Sequence, residues 1–146
     1  MENTRTVDSI MTKKVTSISP DTPYVEIKEI FDKNHFHHLP VLDEKNQLEG
    51  IISKEDLYKA LFLISLHTKH PDYSHLKYGY ISAADLMTRY PVFLEPDDMI
   101  DLAADIFLSN KLHALPILDD GNLIGILTTH DMMQYAFTEM RSASAV

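Results

Sequence analysis

The heptad GIISKED (Gly50–Asp56) occurs a second time as GILTTHD (Gly125–Asp131). Both copies have glycine in the first position, a hydroxyl side chain in the fourth and aspartate in the seventh. Self-similarity at a fixed spacing is the sequence signature of a repeated structural unit. The heptad therefore indicates that the chain contains the same small fold twice.

The repeat extends over most of the chain. IMTKKVTSISPD (10–21) aligns with LMTRYPVFLEPD (86–97), and LPVLD (39–43) aligns with LPILD (115–119), both at an offset of 76 residues. The offset falls to 75 at the heptad, because one residue is missing where DEKNQ in the first copy faces DDGN in the second. These polar segments separate two apolar runs, and Asp-Gly is a strong signal for a two-residue hairpin turn. The deletion therefore predicts a hairpin tip in each repeat.

The residue pattern of each repeat predicts the element order β-α-β-β-α. A short strand leads into a helix, for which Thr22 and Asp97 are the expected N-caps. Two hairpin strands and a second helix, which begins at Ser53 or Thr128, complete the unit. The short first strands are expected at 16–18 and 92–94.

The first helix of each repeat is predicted to be amphipathic. In the second repeat apolar residues recur at i, i+3, i+4, i+7 and i+8, and the first repeat keeps part of this face. A lone unit of about 55 residues buries little surface, so two units packed sheet against sheet are expected. The residues of the apolar faces are Met99, Leu102, Ala103, Ile106 and Phe107 in the second repeat, and Ile27, Ile30 and Phe31 in the first.

The composition excludes several classes of function. The 146 residues include no cysteine, which rules out disulfides, thiolate catalysis and cysteine-ligated metal sites. A net charge of −9 argues against a general affinity for nucleic acid or anionic lipid, although a small anion could bind in a locally basic pocket. The N-terminus has no apolar signal region, and no apolar run reaches the length of a membrane span. We expect a soluble cytoplasmic protein with no nucleic-acid or membrane partner.

The segments MT..V…P, HLPVLD and GIISKED, in this order, resemble the CBS domain, a family named after cystathionine β-synthase. The tandem resembles a CBS pair, or Bateman module, over about 7–63 and 83–137. The resemblance implies an α/β fold of two β-α-β-β-α repeats packed sheet-to-sheet with pseudo-twofold symmetry. The corresponding domains would be repeat 1 in 1–64, a connector in 65–82 and repeat 2 in 83–146. The family also commonly forms homodimers and often binds adenosine-containing ligands in clefts between the repeats.

The hydroxyl and the acid of each heptad have two interpretations. Ser53 and Asp56, like Thr128 and Asp131, have the spacing of a capping box, in which each side chain accepts a hydrogen bond from the other residue's amide. A carboxylate in a first helical turn can also accept two hydrogen bonds from the vicinal hydroxyls of a ribose. The resemblance implies the second role for both aspartates, with the preceding Ser or Thr lining the same cleft. Capping and binding can coexist.

Histidines form the second group of candidate residues. His37 and His113 are equivalent in the repeat, and His38 follows the first of them. The resemblance implies that basic residues here reach the phosphates of a nucleotide, with Lys54 and His130 adding charge from within the heptads. The alternative is that a histidine caps the C-terminus of the preceding helix, where positive charge suits the dipole. If phosphate contact is correct, affinity should rise as the pH falls through the range in which histidine titrates.

The two sites are not expected to be equal. Family members often carry Thr in the first strand near the adenine edge, where the first repeat has Ser17 and the second has Phe93. A phenyl ring cannot make that hydrogen bond, so occupancy of the second site is less certain than that of the first. The neighbouring strands, with Pro40 and Pro116, either wall the adenine slots or serve as core strands.

The glycines that begin the heptads, Gly50 and Gly125, also have two interpretations. They would let the backbone approach a purine closely, and they would equally suit a hairpin register or a bulge.

The connector between the repeats contains a group of potential metal ligands. Their H-x-x-H-x-x-x-x-H pattern matches no standard structural zinc site, and a surface linker with scattered histidines is the preferred interpretation. We therefore predict no metal site. The residues are His67, His70, Asp72 and His75.

These features together predict a stand-alone regulatory sensor that is not an enzyme. It would bind AMP, ADP or ATP as a regulatory ligand, require no cofactor, form a homodimer and act in trans on a client protein. A ligand-free association module, in which the heptads are only helix caps, is the main alternative. An enzyme acting on a nucleotide is a weaker one, because the sequence contains no activated nucleophile and no phosphate-binding Gly-rich loop.

Overall fold

The computed structural model describes residues 5–67 and 80–144, with the side chain of His67 left undescribed. The chain divides into two compact units. One runs from Thr16 to Pro91 and is called the Asp56 unit. The other combines the residues up to Val15 with those from Val92 onward and is called the Asp131 unit. Neither unit coincides with one sequence repeat. The first residues of repeat 1 belong to the Asp131 unit, and the first residues of repeat 2 belong to the Asp56 unit.

The Asp56 unit is a three-stranded antiparallel sheet with helices. Strand β2 lies between β1 and β3 and pairs with both. The core of this unit includes Ile27, Phe31, Leu39, Ile52 and Leu57, all fully buried. The elements in chain order are α1 (Tyr24–Lys33), β1 (His38–Leu42), β2 (Leu48–Ser53), α2 (Lys54–His67), α3 (Ala83–Leu86) and β3 (Thr88–Arg89).

The Asp131 unit repeats this plan around the hairpin of β4 and β5. Its third strand position is taken by Thr12, whose amide donates to the carbonyl of Ile126 and whose carbonyl accepts from the Ile126 amide, both at 2.9 Å. The core includes Val7, Ala103, Leu115, Ile117 and Leu127. The elements are a 3-10 turn (Val7–Ser9), α4 (Ile100–Ser109), β4 (Ala114–Asp119), β5 (Asn122–Thr128) and α5 (Thr129–Ser144).

The heptad glycines are required where these third strands approach the hairpins. A Cβ at Gly50 would lie 2.6 Å from the Sδ of Met87 and 2.8 Å from the carbonyl oxygen of Thr88. A Cβ at Gly125 would lie 2.5 Å from the Sδ of Met11 and 3.0 Å from the carbonyl oxygen of Thr12. The close contacts at these glycines are made by the Met-Thr dipeptide at the start of the other repeat. The approach of a purine to these glycines stays a prediction.

The hairpin tips lie where the deletion predicts them. In the second repeat Asp119 pairs with Asn122, so the loop is Asp120-Gly121, and both loop residues have positive φ (50° and 83°). Two positive φ angles define the type I′ turn that suits the twist of a hairpin. The first repeat has the longer loop 43–47, in which Asn46 has a φ of 63°. Both hairpins also shift register beside the heptad glycine, the bulge that was one of the predicted roles.

The first predicted strand of each repeat is reduced to a single bridge. Ile18 pairs in parallel with Val41, and Leu94 pairs in parallel with Ile117. The two residues before each of them form no bridge, so the prediction of full strands at 16–18 and 92–94 is wrong.

The predicted N-caps Thr22 and Asp97 are also wrong. The caps are Pro23 and Met99. Thr22 instead accepts a hydrogen bond from the amide of Ser19 at 3.1 Å, which closes the preceding turn and moves the helix start along the chain. In the second repeat the helix begins at Ile100, so the residues on its apolar face differ from those predicted.

That apolar face is correct in part. Ile100 and Ala103 are buried, and Ile106 and Phe107 pack partly against the same core. Met99 precedes the helix, and Leu102 is 44% exposed, so these two residues do not belong to the inward face. In the first repeat Ile27 and Phe31 are buried and Ile30 packs partly against the core, as predicted.

Candidate functional site

Both heptads form capping boxes. The amide of Asp56 donates to the hydroxyl of Ser53 at 3.0 Å, and the amide of Ser53 donates to Oδ2 of Asp56 at 3.1 Å. The second heptad repeats this pair, with 3.1 Å from the Asp131 amide to the Thr128 hydroxyl and 2.9 Å from the Thr128 amide to Oδ2 of Asp131. The capping interpretation is therefore confirmed. It uses one oxygen of each carboxylate and leaves the other for further contacts.

The first turns of α2 and α5 also keep backbone donors available. The amides of Lys54 and Thr129, the first helical residues, donate to the carbonyls of His37 and His113 at 2.8 and 3.0 Å. The next amides, those of Glu55 and His130, have no acceptor within the described residues. Free amides at a helix N-terminus favour an anion or a polar ligand atom. Each site can thus present a carboxylate acceptor and an amide donor side by side.

Sheet pairing brings the other candidates of the first repeat towards the same end of the sheet. His38 pairs with Ser53, so β1 begins where β2 ends. Ile18 pairs in parallel with Val41, which places Ser17 beside Pro40. In the second repeat Ala114 pairs with Thr128 and Leu94 with Ile117, so Phe93 occupies the position of Ser17. Both Ser17 and Phe93 are exposed, the latter by 48%.

The basic candidates lie where β1 and β4 begin and in the first turns of α2 and α5. The side chains of His37, His113 and His130 are exposed, and His38 and Lys54 are half-buried. The helix ends before them are capped by other residues, since the side-chain amides of Asn34 and Asn110 donate to the carbonyls of Ile30 and Ile106 at 2.7 and 2.9 Å.

The two prolines are core residues. Pro40 and Pro116 are fully buried in the middle of β1 and β4. A role as the wall of an adenine slot would require a ligand to meet backbone or neighbouring atoms at this position. That role stays a prediction, and so does ligand contact by the other candidate residues.

Thr12 is a site residue that sequence reasoning missed. Its hydroxyl lies 3.2 Å from Oδ1 and 3.3 Å from Oδ2 of Asp131. The signal was present in the sequence, because the Met-Thr dipeptide occurs at 11–12 and again at 87–88. What the alignment could not show is that this dipeptide reaches the heptad of the other repeat.

No group of three or more His, Cys, Asp or Glu side chains that could hold a metal ion occurs within 5–67 and 80–144. The predicted absence of a metal in the connector is not decided by this, because His70, Asp72 and His75 and the side chain of His67 lie outside the described residues. In the same described ranges, no helix combines the length and the apolar character needed to cross a membrane.

Solved structures share this fold. The CBS-pair protein CBSX2 from Arabidopsis thaliana is 28% identical with a TM-score of 0.77, over 95% of this chain and 99% of that one. CBSX2 in complex with AMP is 27% identical with a TM-score of 0.75, over 92% and 98%. The CBS domain pair of protein MJ0100, solved with 5′-methylthioadenosine and S-adenosyl-L-methionine, has a TM-score of 0.76 at 23% identity, over 93% and 98%.

Sequence relatives include both short and long proteins. Uncharacterized protein MJ1426 of Methanocaldococcus jannaschii is 31% identical over 84% of this chain and 86% of its own length. Inosine-5′-monophosphate dehydrogenase of the same organism is 31% identical over 87% of this chain, but only 23% of the dehydrogenase is covered. The match to the enzyme is thus confined to a minor part of it. The profile of the CBS domain matches residues 7–63 and 83–137, and the chain therefore belongs to the CBS domain family, with the α/β fold of a CBS pair.

Proposed function

We propose that this protein is a regulatory CBS pair that binds an adenosine nucleotide of the AMP, ADP or ATP type through Asp56 and Asp131. Each aspartate accepts the vicinal hydroxyls of the ribose, and the free amide beside it takes a polar atom of the ligand. Binding biases the arrangement of the protein and so regulates a partner without catalysis.

The observation that carries this proposal is an acceptor oxygen of Asp56 that the helix cap does not use. At Asp131 the Thr12 hydroxyl contacts both carboxylate oxygens, so a ribose there would have to replace Thr12. Oδ2 of Asp56 caps its own helix, whereas Oδ1 accepts no hydrogen bond from the described residues. A cap alone explains only one oxygen, and the half-buried side chain keeps the other ready for a donor. The likeness to CBSX2, a structure solved with AMP at 27% identity, supports adenosine as the ligand class.

A thermal-shift titration with AMP, ADP, ATP and S-adenosylmethionine tests the proposal. A ligand that binds only the folded state adds about 2.7 kcal/mol at a hundredfold excess over its dissociation constant, which raises the unfolding midpoint. We expect at least one adenosine nucleotide to do so. A folded protein whose midpoint responds to none of them would contradict the proposal and favour the ligand-free association module.

Phosphate recognition by the exposed histidines predicts that His113→Gln weakens AMP binding, because the variant loses an imidazole that can contact the phosphate. Adenosine is the matched control ligand because it lacks the phosphate, and its affinity should be the same for the wild type and the variant. Calorimetric titration of both proteins with both ligands measures the effect. An equal change for AMP and adenosine would argue against phosphate contact by His113.

We further propose that a second copy of the chain covers exposed apolar stripes on α2 and α5. Tyr58, Phe62 and Leu66 recur at helical spacing on α2 and are 46%, 62% and 59% exposed. On α5, Met133 and Phe137 are the repeat equivalents of Tyr58 and Phe62 and are 63% and 56% exposed. Large apolar side chains in a row on a helix are typical of surfaces that associate. This supports the expected homodimer, and it is also the observation that favours the association module as second candidate.

The stripes predict that Phe137→Glu converts the dimer into monomer. A charge placed in an apolar interface has no partner, so the loss should be at least about 2 kcal/mol, or thirtyfold in dimer dissociation constant. Light scattering coupled to size exclusion measures the mass. Leu108→Glu is the matched control, because Leu108 is 86% exposed but lies on α4 outside the stripes. If both variants stay dimeric, the second copy docks elsewhere.

A further inference from the structure

The contact between Thr12 and Asp131 has the geometry of a ligand contact. The Thr12 hydroxyl is nearly equidistant from the two carboxylate oxygens, at 3.2 and 3.3 Å. It therefore lies in the fork between them. A vicinal diol that donates one hydrogen bond to each oxygen needs the same fork.

Thr12 is held in this position by its backbone. Two hydrogen bonds of 2.9 Å join it to Ile126. Further upstream, the Arg5 guanidinium forms an ion pair with Glu139 at 2.5 Å and lies 5.6 Å from the centre of the Tyr135 ring. The backbone at Thr12 is thus fixed on β5 and its segment on α5. A ligand can displace the hydroxyl only by rotating the side chain.

The other site lacks this contact. Thr88 is the repeat equivalent of Thr12 and pairs with Ile51 as Thr12 pairs with Ile126. Within the described residues, however, no hydrogen bond joins Thr88 to Asp56. The two capping boxes are the same, but a threonine hydroxyl contacts the carboxylate of Asp131 and none contacts that of Asp56 within the described residues.

We propose that Thr12 is an intramolecular competitor for the ribose at Asp131 and is a residue that sets the affinity of this site below that of the Asp56 site. This rests on the proposed binding of a ribose by the two aspartates. A ligand at Asp131 must break the Thr12 contact before it gains its own, whereas a ligand at Asp56 breaks none. The two sites would then fill at different nucleotide concentrations.

The test isolates one site at a time. In the Asp56→Asn background, calorimetric titration with AMP reports the Asp131 site. Thr12→Ala should tighten AMP binding there about two- to tenfold, the value of one hydrogen bond that no longer has to be broken. Thr12→Ser keeps the hydroxyl and should bind as the background does. In the Asp131→Asn background, Thr88→Ala should leave the affinity unchanged.

Each outcome separates this inference from the proposed function. A merely structural role of Thr12 would weaken binding on substitution by alanine, so tightening by Thr12→Ala supports competition. Unchanged or weaker binding by Thr12→Ala, in a protein that still binds AMP, would overturn the competitor role and leave the ribose sites intact. A wild-type protein and backgrounds that bind no AMP would overturn the proposed function and this inference with it. Circular dichroism of each variant checks that it is folded.

Discussion

Gly50→Ala is expected to lower the free energy of unfolding by about 2–3 kcal/mol, the upper range for an added methyl group in a packed site. The new Cβ would lie 2.6 Å from the Sδ and 2.8 Å from the Cγ of Met87, and 2.8 Å from the carbonyl oxygen of Thr88. The methionine can move, but the carbonyl belongs to β3, which pairs with β2 at this residue. Urea denaturation of the wild type and the variant measures the difference.

The second glycine gives a matched comparison. At Gly125 the backbone contact is looser, 3.0 Å to the carbonyl oxygen of Thr12, and the tightest contact is the Sδ of Met11 at 2.5 Å. The effect of each glycine substitution can be measured in a background that lacks its methionine. Gly125→Ala in a Met11→Ala background should therefore lower the free energy of unfolding less than Gly50→Ala does in a Met87→Ala background. A Gly50→Ala protein as stable as the wild type would show that β3 does not approach the hairpin as closely as described.

Asp56→Asn and Asp131→Asn are expected to weaken AMP about ten- to a hundredfold at the substituted site. A hydrogen bond to a charged group contributes about 1.5–3 kcal/mol, and the amide keeps only one acceptor oxygen for the two ribose hydroxyls. The same oxygen can still accept the hydrogen bond from the N-cap amide, so stability should change little. Calorimetric titration measures the affinity, and thermal unfolding measures the stability.

The alanine variants separate binding from capping. Asp56→Ala and Asp131→Ala should lose the binding and also about 1 kcal/mol of stability, because the capping box is broken. Retained AMP affinity in both asparagine variants, with a stability loss confined to the alanine variants, would reduce the heptad acids to helix caps.

Much of the fold was predictable from local chemistry. The Asp-Gly dipeptide predicted a two-residue hairpin turn, and Asp120 and Gly121 form one, with the positive φ angles of the type I′ form. The Ser-x-x-Asp and Thr-x-x-Asp spacings predicted two capping boxes, and all four hydrogen bonds are present. These features depend on residues within a few positions of each other, so the sequence alone determines them.

The features that were not predicted depend on long-range contacts. The alignment showed that Met11 and Met87 are equivalent, but not that each one packs on the heptad glycine of the other repeat. The contact of Thr12 with Asp131 follows from the same exchange and joins residues far apart in the chain. The misplaced N-caps are a local exception. The amide of Ser19 donates to the Thr22 hydroxyl, and the amide of Glu95 donates to Oδ2 of Asp98, the residue after the predicted cap Asp97, so a turn closes before each helix begins.

Calorimetric titration of the wild-type protein with AMP and with 2′-deoxy-AMP tests the central claim most directly. The two ligands share the base and the phosphate and differ only in one of the two hydroxyls that the aspartates are proposed to hold. We expect AMP to bind and 2′-deoxy-AMP to bind at least about tenfold more weakly, as the loss of a hydrogen bond to a carboxylate requires. Equal affinity for the two nucleotides would contradict the assignment of Asp56 and Asp131 as ribose ligands.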